Sequence, residues 1–375
     1  MKKRARDLGI PFEGTCGKYN AITDVAGVEV GYTTIIKGEP TADRNDTTDF
    51  ARTGVTAILP RGKARSAVFA GRFDYNGNGE LTGSHWIDDS GFLHGPIMIT
   101  NTNSVGVVRE ATSKWMVKNK YFYPIYVDDR MIEGIGFFYP TVGETFDGVL
   151  NDINGFHVKE EHAIAALENA KSGPLEEGNV GGGTGMRCHG FKGGTGTASR
   201  VLSEEFGGYT VGVLVQANHG TRDYFQIRGI PMGKEIQGYE QVVNTWNAKP
   251  GDGSIIIVIA TDAPVLPWQL SKIARRATIG MGRLGAGYEN GSGDIFIAFS
   301  TANENAFCYT KTNVELLADE QLDPIYKATA DATEEAILNA MVAAETTIGA
   351  DLNVVHALPH EEVVNVLKKY NRCTL

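Results

Sequence analysis

The sequence predicts a mixed α/β protein built in layers, with at least one strand covered on both faces. Two observations carry this. Extended, β-branched segments at 28–36, 54–59, 96–100, 209–215, 254–260 and 294–300 are interspersed with helical patterns at 107–117, 160–170, 266–279, 333–346 and 359–370. Residues 255–260, the longest apolar run, show no polar alternation, so a strand there has both faces buried. With 375 residues, 42% hydrophobic and 21% charged, the chain has a globular composition and enough length for two domains or one large layered core.

Along the chain, residues 28–36 open the pattern with Val, Thr and Ile, and 38–52 read as a solvated surface loop. The strands at 54–59 and 96–100 lead into the helices at 107–117 and 160–170. Residues 248–253, Ala-Lys-Pro-Gly-Asp-Gly, form a polar, turn-forming break directly before the buried strand. The last helix has Pro359 at a permitted start and Val363, Val364, Leu367 and Tyr370 on one face. Double-sided burial arises in a parallel sheet between helices, and equally in a sandwich of two sheets each backed by helices. Periodicity leaves both open.

A net charge of −10 argues against a nucleic-acid or anionic-membrane surface, leaving small molecules or peptides as partners. The basic start, Met1 to Arg6, is followed by Asp7, Pro11 and Glu13 instead of the apolar core of an export signal, and no run is long enough for a membrane helix. A cytoplasmic location is expected. Cys16, Cys188, Cys308 and Cys373 are far apart with no Cys-x-x-Cys pair, so free thiols are expected and neither a zinc site nor a disulfide frame is supported.

Several motifs fail on context. Gly280-Met-Gly282-Arg-Leu-Gly285 follows a helical pattern instead of a strand, and reads as a helix exit. Asp74-Tyr-Asn76-Gly-Asn78-Gly79 opens like a calcium loop but has His85 where a bidentate glutamate belongs, and reads as a turn. The stretch from Gly185 to Lys192 has phosphate-loop spacing, yet Gly193 replaces the magnesium-binding hydroxyl. No histidine pair has helical metal spacing, so no metal is expected; His219 reads as a loop histidine satisfied by backbone. Gly291-Ser292-Gly293 is out of frame for a nucleophile elbow. The dense glycines at 181–185 and 193–196 allow close backbone approach, or are simply tight turns.

Six strings, in order along nearly the whole chain, resemble the DmpA family of L-aminopeptidase/D-esterases and the related β-peptidyl aminopeptidases. They are Arg4-Ala-Arg-Asp-Leu8, Asn20-Ala-Ile-Thr-Asp24, Glu177-Gly-Asn-Val-Gly-Gly-Gly-Thr-Gly-Met186, Val215-Gln-Ala-Asn-His-Gly220, Ile259-Ala-Thr-Asp-Ala-Pro264 and Ala274-Arg-Arg-Ala277. The resemblance implies a four-layer αββα sandwich, Ntn-hydrolase-like with DmpA-type topology. It further implies self-cleavage between Gly253 and Ser254, giving an α chain of residues 1–253 and a β chain of 254–375.

Chemically, a serine hydroxyl needs an adjacent base, and the freed α-amine of residue 254, with an ordinary pKa of roughly 7.7–8.0, can be that base. Gly253 tolerates the backbone angles that the self-attack requires. By resemblance, Ser292 and Asp294 assist the nucleophile, Asn218 donates to the oxyanion, and Glu144 holds the substrate's free ammonium; Phe146 stands where relatives can carry Tyr. Short peptides, amides or esters with a free amine are the implied substrates, with no cofactor, and αβ units are expected to assemble as homo-tetramers. An acyltransferase on the same scaffold and a binding protein that never cleaves are the competing readings.

Overall fold

The computed structural model describes residues 2–46, 49–64, 67–121, 125–127, 130–132, 136–244, 253–308 and 310–375. In chain order, the strands of its two main sheets are β1 (Glu29–Lys37), β2 (Ala51–Lys63), β3 (Val68–Gly77), β4 (Phe92–Leu93), β5 (Ile97–Asn101), β6 (Thr141–Thr145), β7 (Gly194–Val201), β8 (Thr210–Asn218), β9 (Ser254–Thr261) and β10 (Gly293–Ser300). One sheet has the order β1-β2-β5-β6, the other β7-β8-β9-β10-β3-β4. Both are mixed: β5/β6 and β9/β10 run parallel, the other pairs antiparallel.

The sheets stack face to face, with Ile58, Ile97, Ile99, Leu214, Ile256, Val258, Ile297 and Phe299 packed between them. Helices α1 (Val105–Lys118) and α2 (Glu160–Glu168) cover the outer face of the smaller sheet, where Val55, Ala57, Met98 and Val142 meet Val108, Trp115, Ala163 and Leu167. Helices α3 (Pro267–Gly282) and α4 (Asp323–Val342) cover the larger one. This is the αββα sandwich, and it explains the unbroken apolar run. Along β9 the side chains alternate: Ile255, Ile257 and Ile259 meet the helix layer, while Ile256, Val258 and Ala260 meet the other sheet. Each buried isoleucine contributes about 1.5–3 kcal/mol of apolar burial on either side, which fixes the register of the central strand.

Four expectations need correction. Residues 74–77 are the end of strand β3, held by pairing to β10, and not a turn. Helix α4 begins at Asp323, ten residues before the expected start, and ends at Val342. The loop after residue 38 ends at a buried Phe50 and at β2, not at Arg52. The glycine-rich stretch beginning at residue 194 is a strand and not a set of turns, because Gly196 lets helix α4 approach so closely that a Cβ would lie 2.1 Å from the Ala336 carbonyl oxygen. The break at 248–253 lies outside the described residues except for Gly253.

Candidate active site

Strand directions gather the polar residues at one end of four adjacent strands of the larger sheet. Because β8 and β9 are antiparallel, the last residue of β8, Asn218, pairs with the first of β9, Ser254. Because β9 and β10 are parallel, Ser254 also stands beside Gly293, the residue between Ser292 and Asp294. Because β10 and β3 are antiparallel, Asn76 pairs with Asp294. Positions separated by up to 218 residues thus meet through sheet register alone, and Asn218, Ser254, Ser292 and Asp294 are all buried.

Two glycines are required here by crowding. A Cβ on Gly253 would lie 2.1 Å from the Asn218 carbonyl oxygen, and one on Gly293 would lie 2.2 Å from that of Asn78. The Gly253 carbonyl accepts a hydrogen bond from the Gly293 N–H at 3.1 Å. That bond polarises the carbonyl that a nucleophile at Ser254 would have to attack.

Asn218 is oriented at both ends. Its Oδ1 accepts from the Arg187 N–H at 2.9 Å and its Nδ2 donates to the Phe146 carbonyl oxygen at 2.9 Å. An amide nitrogen has two hydrogens, so one remains for a further acceptor. Ser292 Oγ donates to Asp294 Oδ1 at 2.7 Å, and burial, augmented by Glu289, outweighs that bond to push the Asp294 carboxyl up to about 6.

Glu144 projects from β6, the edge strand of the other sheet. It accepts from the Thr102 hydroxyl and, at 3.0 Å, from the Glu80 N–H. Burial raises its pKa above the ordinary value despite both donors. Among the described residues no cationic side chain pairs with it. Gly79 lies between this carboxylate and the Gly293 backbone: a Cβ there would stand 3.2 Å from Glu144 Oε1 and 3.5 Å from Gly293 Cα. The half-buried Phe146 contributes its backbone to Asn218, so its carbonyl matters here whatever its ring does.

Sequence reasoning missed two supporting residues. Asn76 Nδ2 donates to the carbonyls of Glu289, Asn290 and Ser292, and Asn78 Nδ2 donates to that of Gly291 at 2.7 Å. These amides hold the loop that carries Ser292. Their signal was the Asn-Gly-Asn-Gly run dismissed as a failed calcium loop. His219 also departs from expectation: it is buried, its Nε2 has no hydrogen-bond partner, and its Nδ1 faces Cys188 Sγ at 3.8 Å.

The model of peptidase family S58 matches residues 20–355. The chain belongs to this family. This S58 peptidase is 51% identical over 381 residues to the beta-peptidyl aminopeptidase BapA of Sphingosinicella microcystinivorans, covering 98% of this chain and 93% of that protein. Its structure superposes with a TM-score of 0.89 on the L-aminopeptidase D-Ala-esterase/amidase of Ochrobactrum anthropi, at 48% identity and full coverage of both chains. It superposes at 0.84 on a Burkholderia sp. beta-aminopeptidase, at 41% identity, covering 98% of this chain and 99% of that one. The DmpA-type resemblance and the Ntn-hydrolase-like sandwich therefore hold, and this S58 peptidase is a hydrolase of the aminopeptidase class. Among the described residues no helix is long and apolar enough to cross a membrane.

Proposed function

We propose that Ser254 is both the self-cleavage point and the nucleophile of an aminopeptidase acting on short peptides, amides and esters with a free amino terminus. The observation that supports this reading best is the register that sets Ser254 between Asn218 and Gly293. In the precursor, Ser254 Oγ attacks the Gly253 carbonyl carbon, the C–N bond breaks, and the resulting ester is hydrolysed by water. Residues 1–253 then end in a carboxylate and residues 254–375 begin with a free amine.

That amine takes the Oγ proton when a substrate carbonyl is attacked, and returns it to the leaving amine or alcohol. Asn218 donates its second amide hydrogen to the oxyanion, and Ser292 with Asp294 orders the protons around the nucleophile. Glu144, a buried carboxylate with no cationic partner among the described residues, receives the substrate's ammonium. The relatives' names extend the proposal to β-amino-terminal as well as L-residues. We extend it further, by resemblance alone, to homo-tetramers of αβ units in the cytoplasm.

A denaturing mass spectrum tests the reading. The expected result is two polypeptides, the smaller starting at Ser254, and for Ser254→Ala a single full-length chain without peptide turnover. If the alanine variant still splits at this bond, intramolecular attack by Ser254 is wrong.

A further inference from the structure

A second cluster lies behind Asn218. A short hairpin pairs Arg187–Cys188 with Phe191–Lys192, and its two turn residues, His189 and Gly190, have φ of 50° and 73°. Such left-handed turns favour Asn and Gly, so a histidine there is unusual. Its ring is buried against Phe225 and His219, with centroids 4.8 and 5.3 Å away. Cys188, His189 and His219 are all buried and each offers one donor atom within 4.8 Å of the others. The Nε2 atom of His189 is buried without a partner, although an unsatisfied group of this kind costs roughly 1–3 kcal/mol.

We propose that Cys188, His189 and His219 form a site for a thiophilic divalent cation of the zinc class, and that filling it slows peptide turnover. One thiolate and two imidazoles suit such an ion in tetrahedral geometry, with water in the fourth position. With bonds of about 2.0–2.3 Å, neighbouring donors stand roughly 3.3–3.7 Å apart. The 3.8 Å between Cys188 Sγ and His219 Nδ1 needs little contraction. Binding displaces the Cys188 thiol proton to solvent. A cavity of about 270 Å³ lined by Asn218, His219, Gly220 and Arg222 reaches the cluster at His219. The link to turnover runs through Asn218, which follows Ala217 in β8 and precedes His219, while Arg187, whose N–H holds Asn218 Oδ1, precedes Cys188. Contraction around an ion shifts both ends of that hydrogen bond. The turnover half of the proposal rests on the oxyanion role of Asn218; the binding half does not.

Cadmium is the probe, because its thiolate complex absorbs in the ultraviolet. One equivalent added to the purified protein is expected to raise that band and the melting temperature. Cys188→Ala and His189→Asn, the second keeping a residue that accepts the left-handed backbone, are expected to abolish both effects, while Cys308→Ala and Cys373→Ala retain them. Peptide turnover is expected to fall by roughly 10²-fold in saturating cadmium, to recover on chelation, and to resist cadmium in the two variants. No band at one equivalent, or a band that survives in Cys188→Ala, overturns the site. A filled site with unchanged turnover overturns the link to Asn218. If the metal-free protein turns over no peptide at all, the aminopeptidase reading fails and the absorption test still decides the site.

Discussion

Near opposite ends of β8, this sandwich buries carboxylates in two different ways. Glu335, on α4, is fully enclosed and accepts two hydrogen bonds from Arg6 at 2.8 Å each, one from Arg200 at 2.7 Å and one from Asn20 at 2.6 Å. Burial alone would raise its pKa, but the two guanidinium groups prevail and hold it below the ordinary value. Asp294 has the Ser292 hydroxyl as its partner and, among the described residues, no paired cation, and burial with Glu289 nearby pushes it up to about 6. Glu144 has a hydroxyl and one backbone N–H, and is raised as well. The difference is a cation. Where a cation stands beside it, the carboxylate ties the amino-terminal segment to the helix layer; where none does among the described residues, burial raises the carboxyl's pKa, the kind of perturbation that marks a candidate functional group.

Asp294→Asn should separate the two kinds of site most clearly. Loss of the acceptor for Ser292 is expected to lower turnover by about 10²–10⁴-fold. The same change should stabilise the fold at neutral pH. A folded pKa of about 6 against an ordinary 3.8 means that the carboxyl's contribution to stability is present below about 3.8 and lost as pH rises through about 6. Urea unfolding at pH 7.5 and kcat/KM on one peptide check both signs; a variant that is inactive and also destabilised would make Asp294 a structural anchor like Glu335.

Glu335→Gln should do the reverse. It leaves Arg6 and Arg200 facing a neutral amide, at a cost of about 3–5 kcal/mol in unfolding free energy. Activity per folded molecule should be unchanged. Since the pKa of Glu335 is lowered by folding, its stabilisation is present at neutral pH and is lost as pH falls through its folded value, so the variant should differ little from the parent in strong acid. A fall in turnover at full folding would erase the distinction drawn here.

Glu144→Gln should preserve self-cleavage, because the scissile bond between Gly253 and Ser254 presents no free amine to residue 144, and lower kcat/KM by roughly tenfold to a hundredfold, the equivalent of about 1.5–3 kcal/mol. An N-acetylated peptide ester should be poor for the parent and little changed by the substitution. Equal turnover of acetylated and free-amine substrates by the parent would mean that this carboxylate does not bind the ammonium.

The smallest effect is in the pH profile. The acid limb of kcat/KM should fall near pH 6, where Asp294 gains its proton. It should be missing from the residual activity of Asp294→Asn, and its persistence there would assign the limb to another group.

Which segments are buried was legible in the sequence because burial leaves a local mark: a six-residue apolar run for the central strand, periodic faces for the helices, a proline at the start of the last one; the four-layer arrangement itself came only from the resemblance. Strings such as Asn20-Ala-Ile-Thr-Asp24 were legible as a resemblance, but their purpose was not; only the folded chain shows Asn20 and Arg6 meeting Glu335 more than three hundred residues away. Strand β7 was hidden because glycines and threonines carry little apolar signal, and β3 because its polar end pairs beside Asp294 at the strand ends instead of in the core. What the sequence by itself determined is therefore which segments are buried and which residue types are available for chemistry. The tertiary structure alone decided which strand lies beside which, and so brought Asn218, Ser254, Gly293 and Asn76 together at one end of four strands and Cys188 to His219. The physical reason is that strand pairing is non-local: the backbone hydrogen bonds that set register are alike at every position, and the choice among partners is made by packing between layers that no single segment contains.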